Sequence, residues 1–201
     1  MLITFEGIDG CGKTTQIGLL SSYLRENGKE VLTLREPGGT EFSEKIRDLL
    51  LHSKDKLTAQ SELFLFESAR ADLVEKIIKP ELEKGTIVIL DRFYDSTTAY
   101  QGYGRQIDLN VVNASNHLAS KNLKPDITFF LDIPLELSYQ RSNHRKLDKI
   151  EKSGDEFFTR VIDGYKKIAG EEPERIVNID GTKPIGEIFK TIMDKMINLI
   201  Y

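Results

Sequence analysis

Cysteine is almost missing from these 201 residues: Cys11 stands alone, so no internal disulfide can form, and the chain suits a reducing compartment. Long hydrophobic runs are missing as well. No apolar stretch approaches a membrane span, and the first residues enter a strand pattern instead of a signal peptide, so a cytoplasmic protein is expected. There is no excess of basic charge. A net charge of −4 disfavours a surface built for duplex DNA or RNA, so neither a nucleic-acid nor a membrane partner is expected. Metal-ligand spacing of histidine and cysteine is absent, and His144 reads as an exposed side chain. No Asn-Lys-x-Asp sequence occurs, which counts against a guanine-reading switch. Without repeats, low-complexity stretches or linkers, residues 1–201 are expected to form one domain large enough to bury a core.

What is present begins at once. Gly7-Ile8-Asp9-Gly10-Cys11-Gly12-Lys13-Thr14-Thr15 follows the apolar run Leu2-Ile3-Thr4-Phe5 and opens a helical periodicity through Ile17, Leu19, Leu20, Tyr23 and Leu24. This is G-x-x-x-x-G-K-[ST] between a strand and a helix, the setting in which glycines let backbone N–H groups crowd round phosphate oxygens. The helix start adds unpaired N–H groups and the positive end of its dipole. Lys13 is expected to reach the β- and γ-phosphates, and the Thr14 hydroxyl to bind magnesium. Cys11 reads as a small residue tolerated in the loop, or else as a reactive thiol beside Lys13.

Further strands are expected at 31–34, 86–90, 127–132 and 176–179, alternating with helical patterns, so the chain reads as α/β with a parallel sheet. The first is expected to be buried and to end in Arg35-Glu36-Pro37-Gly38-Gly39-Thr40, either a tight turn or the lip of a ligand crevice. Phe42, Ile46, Leu49 and Leu50 mark one helical face, with Arg47 on another. A single helical pattern runs from Ser61 to about Glu83, apolar at Leu63, Phe64, Phe66 and Ala69, and Arg70 within it asks for a partner. Ile89-Leu90 delivers Asp91-Arg92 to the same edge as the phosphate loop, where an acid near magnesium or a plain salt bridge is expected. The run from Phe93 to Gly102 is dense in hydroxyl, amide and aromatic groups and suits a nucleoside. Arg141, His144, Arg145, Lys146 and Lys149 form the basic cluster, a solvated face or a lid whose arginines close on phosphates. Pro184 opens a last helix with regular apolar positions from Ile185 to Ile200.

Phe5 to Thr15, Arg35 to Thr40 and Asp91 to Gly102 together resemble bacterial thymidylate kinases, and the similarity continues through Leu147-Asp148-Lys149-Ile150-Glu151 to the last helix. The resemblance implies a P-loop NTPase fold with a five-stranded parallel sheet flanked by helices and a short lid at about 141–153. It implies transfer of the γ-phosphoryl group of ATP to dTMP with Mg2+, and a homodimer. By matched position, Asp9 would meet the sugar 3′-hydroxyl; Glu36, Pro37, Phe66 and Arg70 would form the base pocket, with Phe66 stacking and Arg70 bonding O4. Thr97 and Gln101 would also meet the base, and Tyr100 would crowd the sugar 2′ position. Arg92, with Arg47 and Arg35, would hold the acceptor phosphate, with Asp91 near magnesium. The Asp180-Gly181-Thr182-Lys183 loop would brush adenine, or be a turn that caps the last helix with Thr182. Two departures stand out. Cys11 lies where some relatives carry an arginine, so the transition-state arginines should be Arg141 and Arg145. Lys149 replaces an arginine and lacks its bidentate fork.

Overall fold

The computed structural model describes residues 1–53, 56–142, 150 and 153–200. Strands β1 (Leu2–Glu6), β2 (Val31–Arg35), β3 (Ile87–Asp91), β4 (Ile127–Asp132) and β5 (Ile176–Asp180) form one parallel sheet in the order β2-β3-β1-β4-β5. The helices are α1 (Lys13–Glu26), α2 (Glu41–His52), α3 (Ala59–Leu73), α4 (Lys79–Glu83), α5 (Tyr94–Thr97), α6 (Leu109–Ser120), α7 (Leu135–Ser142), α8 (Asp155–Glu171) and α9 (Ile185–Ile200). Arg145, Lys149 and most of the lid expected at 141–153 lie outside the described residues.

Strand alternation divides the core. Leu2 of β1 pairs in register with Val88 of β3, and Thr4 with Leu90; Leu2, Val88 and Leu90 pack against Leu73, Val74 and Ile78. The intervening residues Ile3, Phe5 and Ile89 belong to a second cluster with Leu20 and Leu24 of α1. Both faces of the central strands are therefore covered, as continuous apolar strands require. The chain leaves β1 towards β2 on one side and leaves β3 towards β4 on the other. Such a reversal opens a crevice at the carboxyl ends of the strands.

Three expectations need correcting. The strand expected to be buried at 31–34 is an edge strand, partly exposed along its length, because only β3 flanks it. The helix expected from Ser61 to Glu83 is α3, a π turn over Val74–Ile78, and α4. Pro80 accounts for the break: it lacks the N–H that an α-helix would use, and a wider turn relieves its ring. Finally, the apolar helical faces extend beyond what the core covers. Ile46 and Leu50 of α2 are buried, but Phe42 and Leu49 are exposed, as are Phe64 of α3 and Ile185 and Ile197 of α9.

Helix α8 packs closely on a π-helical stretch, Thr98–Gly104, that continues α5. Gly164 makes this approach possible: a Cβ there would lie 2.7–2.8 Å from Cδ2, Cβ and Cγ of Tyr103. Alanine should gain about 1 kcal/mol of helix propensity over glycine at this position. Overpacking costs typically about 1–3 kcal/mol and should win. Gly164→Ala is expected to lower Tm in thermal melting; an unchanged or higher Tm would mean that Tyr103 yields.

Candidate active site

The phosphate loop is shaped by what surrounds it. Gly7 has φ 132°, and a Cβ there would lie 2.6 Å from the Leu131 carbonyl oxygen of β4, so only glycine fits. Gly12, at φ 103°, precedes α1 without a side-chain cap, and the first turn contains no acid. The N–H groups and dipole of α1 are thus left for an anion. Lys13 is 6% exposed; its Nζ donates to the carbonyls of Gly7 (3.0 Å) and Ile8 (3.3 Å). Nζ also lies 4.0 Å from Asp9 and 3.9 Å from Asp91. Thr14 and Thr15 are exposed at the mouth, and the Thr14 hydroxyl lies 3.5 Å from Asp91 Oδ2. Ile8 points its side chain into the core, and Cys11 is fully buried 3.7 Å from Lys13 Nζ, which fits a packed residue better than an accessible thiol. Arg141 of α7 donates to Gly10 O (3.1 Å) and Gly181 O (3.2 Å), tying the loop to the turn after β5. In that turn the Thr182 hydroxyl donates to Asp180.

The end of β3 carries stored strain. Arg92 has φ 73°, a left-handed conformation that costs a non-glycine residue about 1–3 kcal/mol. Its guanidinium donates to Asp9 Oδ1 (2.8 Å), Ser96 (3.2 Å) and the Tyr165 hydroxyl (3.3 Å), and lies 5.2 Å from the Tyr100 ring centroid. The turn is held from below by Glu6, which is fully buried at the end of β1. Glu6 accepts from Phe93 N (2.7 Å), Ser96 Oγ (2.6 Å) and Tyr165 (3.0 Å). Burial and the nearby Asp95 push its carboxyl up to about 7. Asp95 is itself clamped by Arg175 at 2.7 and 2.9 Å.

A second group surrounds Arg70, which is 2% exposed. Its Nε donates to Glu36 Oε2 (2.8 Å), Nη1 to Glu67 (2.8 Å) and Asn116 (3.2 Å), and Nη2 to Thr97 (2.9 Å). The partner that an arginine in an apolar helix requires therefore comes from the protein itself. Two buried carboxylates share this guanidinium, and burial pushes Glu36 up to about 7. Arg47 donates to the Pro37 carbonyl (2.9 Å), and Arg35 pairs with Glu44 (3.2 Å) at the surface. Glu67 could have been suspected from its spacing three residues before Arg70. Glu6, Asn116, Tyr165 and Arg175 carry no local signal.

These groups line two cavities. One, of about 160 Å³, is bounded by Glu36, Pro37, Phe66, Arg70, Thr97, Tyr100 and Gln101 together with Arg35, Arg47 and Arg92. The other, of about 560 Å³, is bounded by the loop from Asp9 to Gln16, Arg141, Gly181 and Lys183. Asp9 and Asp91 line both. Among the described residues, no group of three or more His, Cys, Asp or Glu is set to hold a metal ion, and no helix is long and apolar enough to cross a membrane.

A family model described as Thymidylate kinase matches residues 5–192. The thymidylate kinase of Prosthecochloris aestuarii is 50% identical, with 98% of this chain and 93% of that protein covered. That of Thermosipho africanus is 46% identical, covering 97% and 98%. The crystal structure of thymidylate kinase from Ehrlichia chaffeensis is similar with a TM-score of 0.79 at 40% identity, covering 98% of this chain and 97% of that one.

Because the Glu6 carboxyl is raised in the folded protein, the native state binds a proton that the unfolded chain releases between about pH 4.5 and 7. Its contribution to stability is complete below that window and is lost as pH rises through it. Glu6→Gln imitates the protonated acid and does not titrate there. The Tm advantage of the native protein over this variant should shrink by several degrees from pH 5 to pH 8, measured side by side. A difference that stays constant with pH would be the contrary result.

Proposed function

This chain belongs to the thymidylate kinase family, and we propose from that premise that it transfers the γ-phosphoryl group of ATP to dTMP where the two cavities meet. The observation that carries this reading is the shared wall: Asp9 and Asp91 line both cavities, and Lys13 and Arg92 each contact one or both of these acids. The larger cavity takes ATP, its phosphates on the N–H groups of Gly10 to Thr15 and its adenine towards the turn at Gly181. The smaller takes dTMP, its base between Phe66 and Arg70 and its phosphate towards Arg92, Arg47 and Arg35. Asp9 is set to meet the sugar 3′-hydroxyl, and the buried Tyr100 ring to crowd the 2′ position.

The reaction is an in-line displacement. An oxygen of the dTMP phosphate forms a bond to the γ-phosphorus, the bond to the bridging oxygen breaks, and its electron pair leaves on ADP. Negative charge spreads over the transferring oxygens, so alignment and fixed cations do most of the work. Lys13 and Arg92 supply two, Arg141 a third from the loop side, and Arg145 of the expected lid a fourth. Thr14 Oγ1 and Asp91 offer the hard oxygen ligands that magnesium prefers, and the ion would neutralise phosphate charge there.

We further propose a homodimer through α2, α3 and α6, which pack side by side. Phe42 and Leu49 are seven residues apart on α2, and Val111 and Leu118 seven apart on α6, so each pair shares a face. These four and Phe64 of α3 are all exposed apolar residues, Leu118 at 82%, and we take them as the residues the dimer would cover. The enzyme is expected in the cytoplasm.

ADP release from ATP, with each nucleoside monophosphate offered separately, tests the activity: dTMP should be the preferred acceptor. Lys13→Ala should reduce kcat by about two or more orders of magnitude with far-UV circular dichroism unchanged. Near-normal turnover in that variant would remove Lys13 from the reaction. Leu118→Asp should weaken self-association about tenfold or more by sedimentation; a variant that sediments like the parent dimer would exclude this face.

A further inference from the structure

Gln101 is 1% exposed and lines the smaller cavity beside Thr97 and Tyr100. A primary amide has two ends of nearly equal size and opposite character: the oxygen accepts and the nitrogen donates. Shape alone does not choose between them. The choice is made by a neighbour. Gln101 Nε2 lies 2.9 Å from Oε1 of Glu62, a buried residue of α3. Glu62 in turn receives Arg105, whose Nε reaches Oε1 at 3.0 Å and whose Nη2 reaches Oε2 at 3.0 Å. This bidentate fork gives both oxygens of Glu62 a charged donor. Arg105 is itself fixed, with its guanidinium 4.3 Å from the Phe157 ring centroid and its backbone N bonded to Tyr100 O at 2.8 Å.

A carboxylate can only accept hydrogen bonds, so only the nitrogen end of the Gln101 amide can face it. The reversed amide would set two acceptor oxygens against each other in a buried site. With the nitrogen end held on Glu62, the end of the Gln101 amide turned away from Glu62 is the carbonyl oxygen, and the second N–H of Nε2 stays on the nitrogen side. We propose that Glu62 is a positioning residue for base selectivity: it fixes the Gln101 amide with its acceptor end turned away from Glu62, an orientation suited to a pyrimidine whose ring N3 carries a hydrogen. Thymine and uracil present N3–H. Cytosine presents a lone pair at the same position, and two acceptors would then meet without a proton between them. Sites built around one hydrogen-bond partner reject an analogue lacking it far more strongly than apolar pockets reject a missing methyl group.

The inference rests on reading the smaller cavity as the pocket for the acceptor's base, and the test separates the two. kcat/KM is measured for dTMP, dUMP and dCMP with the parent enzyme, Glu62→Gln and Gln101→Met. dUMP against dCMP is the informative pair, because both lack the methyl group and differ only on the edge in question. Glu62→Gln can accept or donate, so Gln101 is free to turn and the dUMP-to-dCMP ratio should fall about tenfold or more. Gln101→Met removes the carbonyl while leaving Glu62 paired with Arg105, and should lower the same ratio even if Glu62→Gln fails to fold. A role confined to stability would depress all three substrates alike. A parent enzyme that uses no pyrimidine monophosphate takes down the base-pocket reading and this inference with it. A parent selective for N3–H bases whose dUMP-to-dCMP ratio survives in the folded variants overturns the inference alone.

Discussion

Positive charge held out of water at one edge of a sheet is the constraint on which the rest of this structure depends. Lys13, Arg70 and Arg92 are all largely shielded from solvent, and a buried cation without a partner costs several kcal/mol. Each is matched by acids that the strands deliver to the same edge: Asp9 and Asp91 to Lys13, Asp9 to Arg92, and Glu36 to Arg70. The consequence is a site whose cations are fixed before a phosphate arrives. On the proposed reading, Lys13 and Arg92 then stand aligned for the transferring phosphoryl group and Arg70 for the base, and little reorganisation is needed at the moment of reaction.

The same pairing accounts for the buried carboxylates around Arg70 and Gln101 at the smaller cavity. Glu36 and Glu67 share Arg70, and Glu62 takes Arg105 and Gln101. None of these acids needs to touch a ligand to matter. Each fixes the orientation of a group that lines the cavity, which is how a flexible arginine or an ambivalent amide becomes a specific one. Glu6 does the equivalent for backbone, holding the left-handed turn at Arg92 through Phe93 N and Ser96.

Two irregular helical stretches bear on the site. The π turn at Val74–Ile78 lets the chain pass Pro80 while α3 keeps Phe66 and Arg70 at the cavity. The π-helical stretch Thr98–Gly104 carries Tyr100 and Gln101 to the same cavity. Such turns are rare and often occur where function re-aims side chains. Neither could be read from apolar periodicity, since one turn of wider helix barely disturbs the pattern.

The sequence by itself determined the five strands to within a residue or two, the parallel α/β class and the phosphate loop. These depend on interactions a few residues long: alternation, a glycine at positive φ, a helix start after a strand. It also brought Asp9, Asp91, Arg92, Phe66, Arg70 and Gln101 together through resemblance, and all of them line the cavities. Only the tertiary structure decided which side of each helix meets solvent: the apolar residues Phe42, Leu49 and Phe64 are exposed, while Ile46 and Leu50 are buried. It alone supplied the partners: Glu6 meets Tyr165 across 159 positions, and Gln101 meets Glu62 across 39. Periodicity places a side chain on a face, but what a buried charge or amide must pair with is set by how the elements pack.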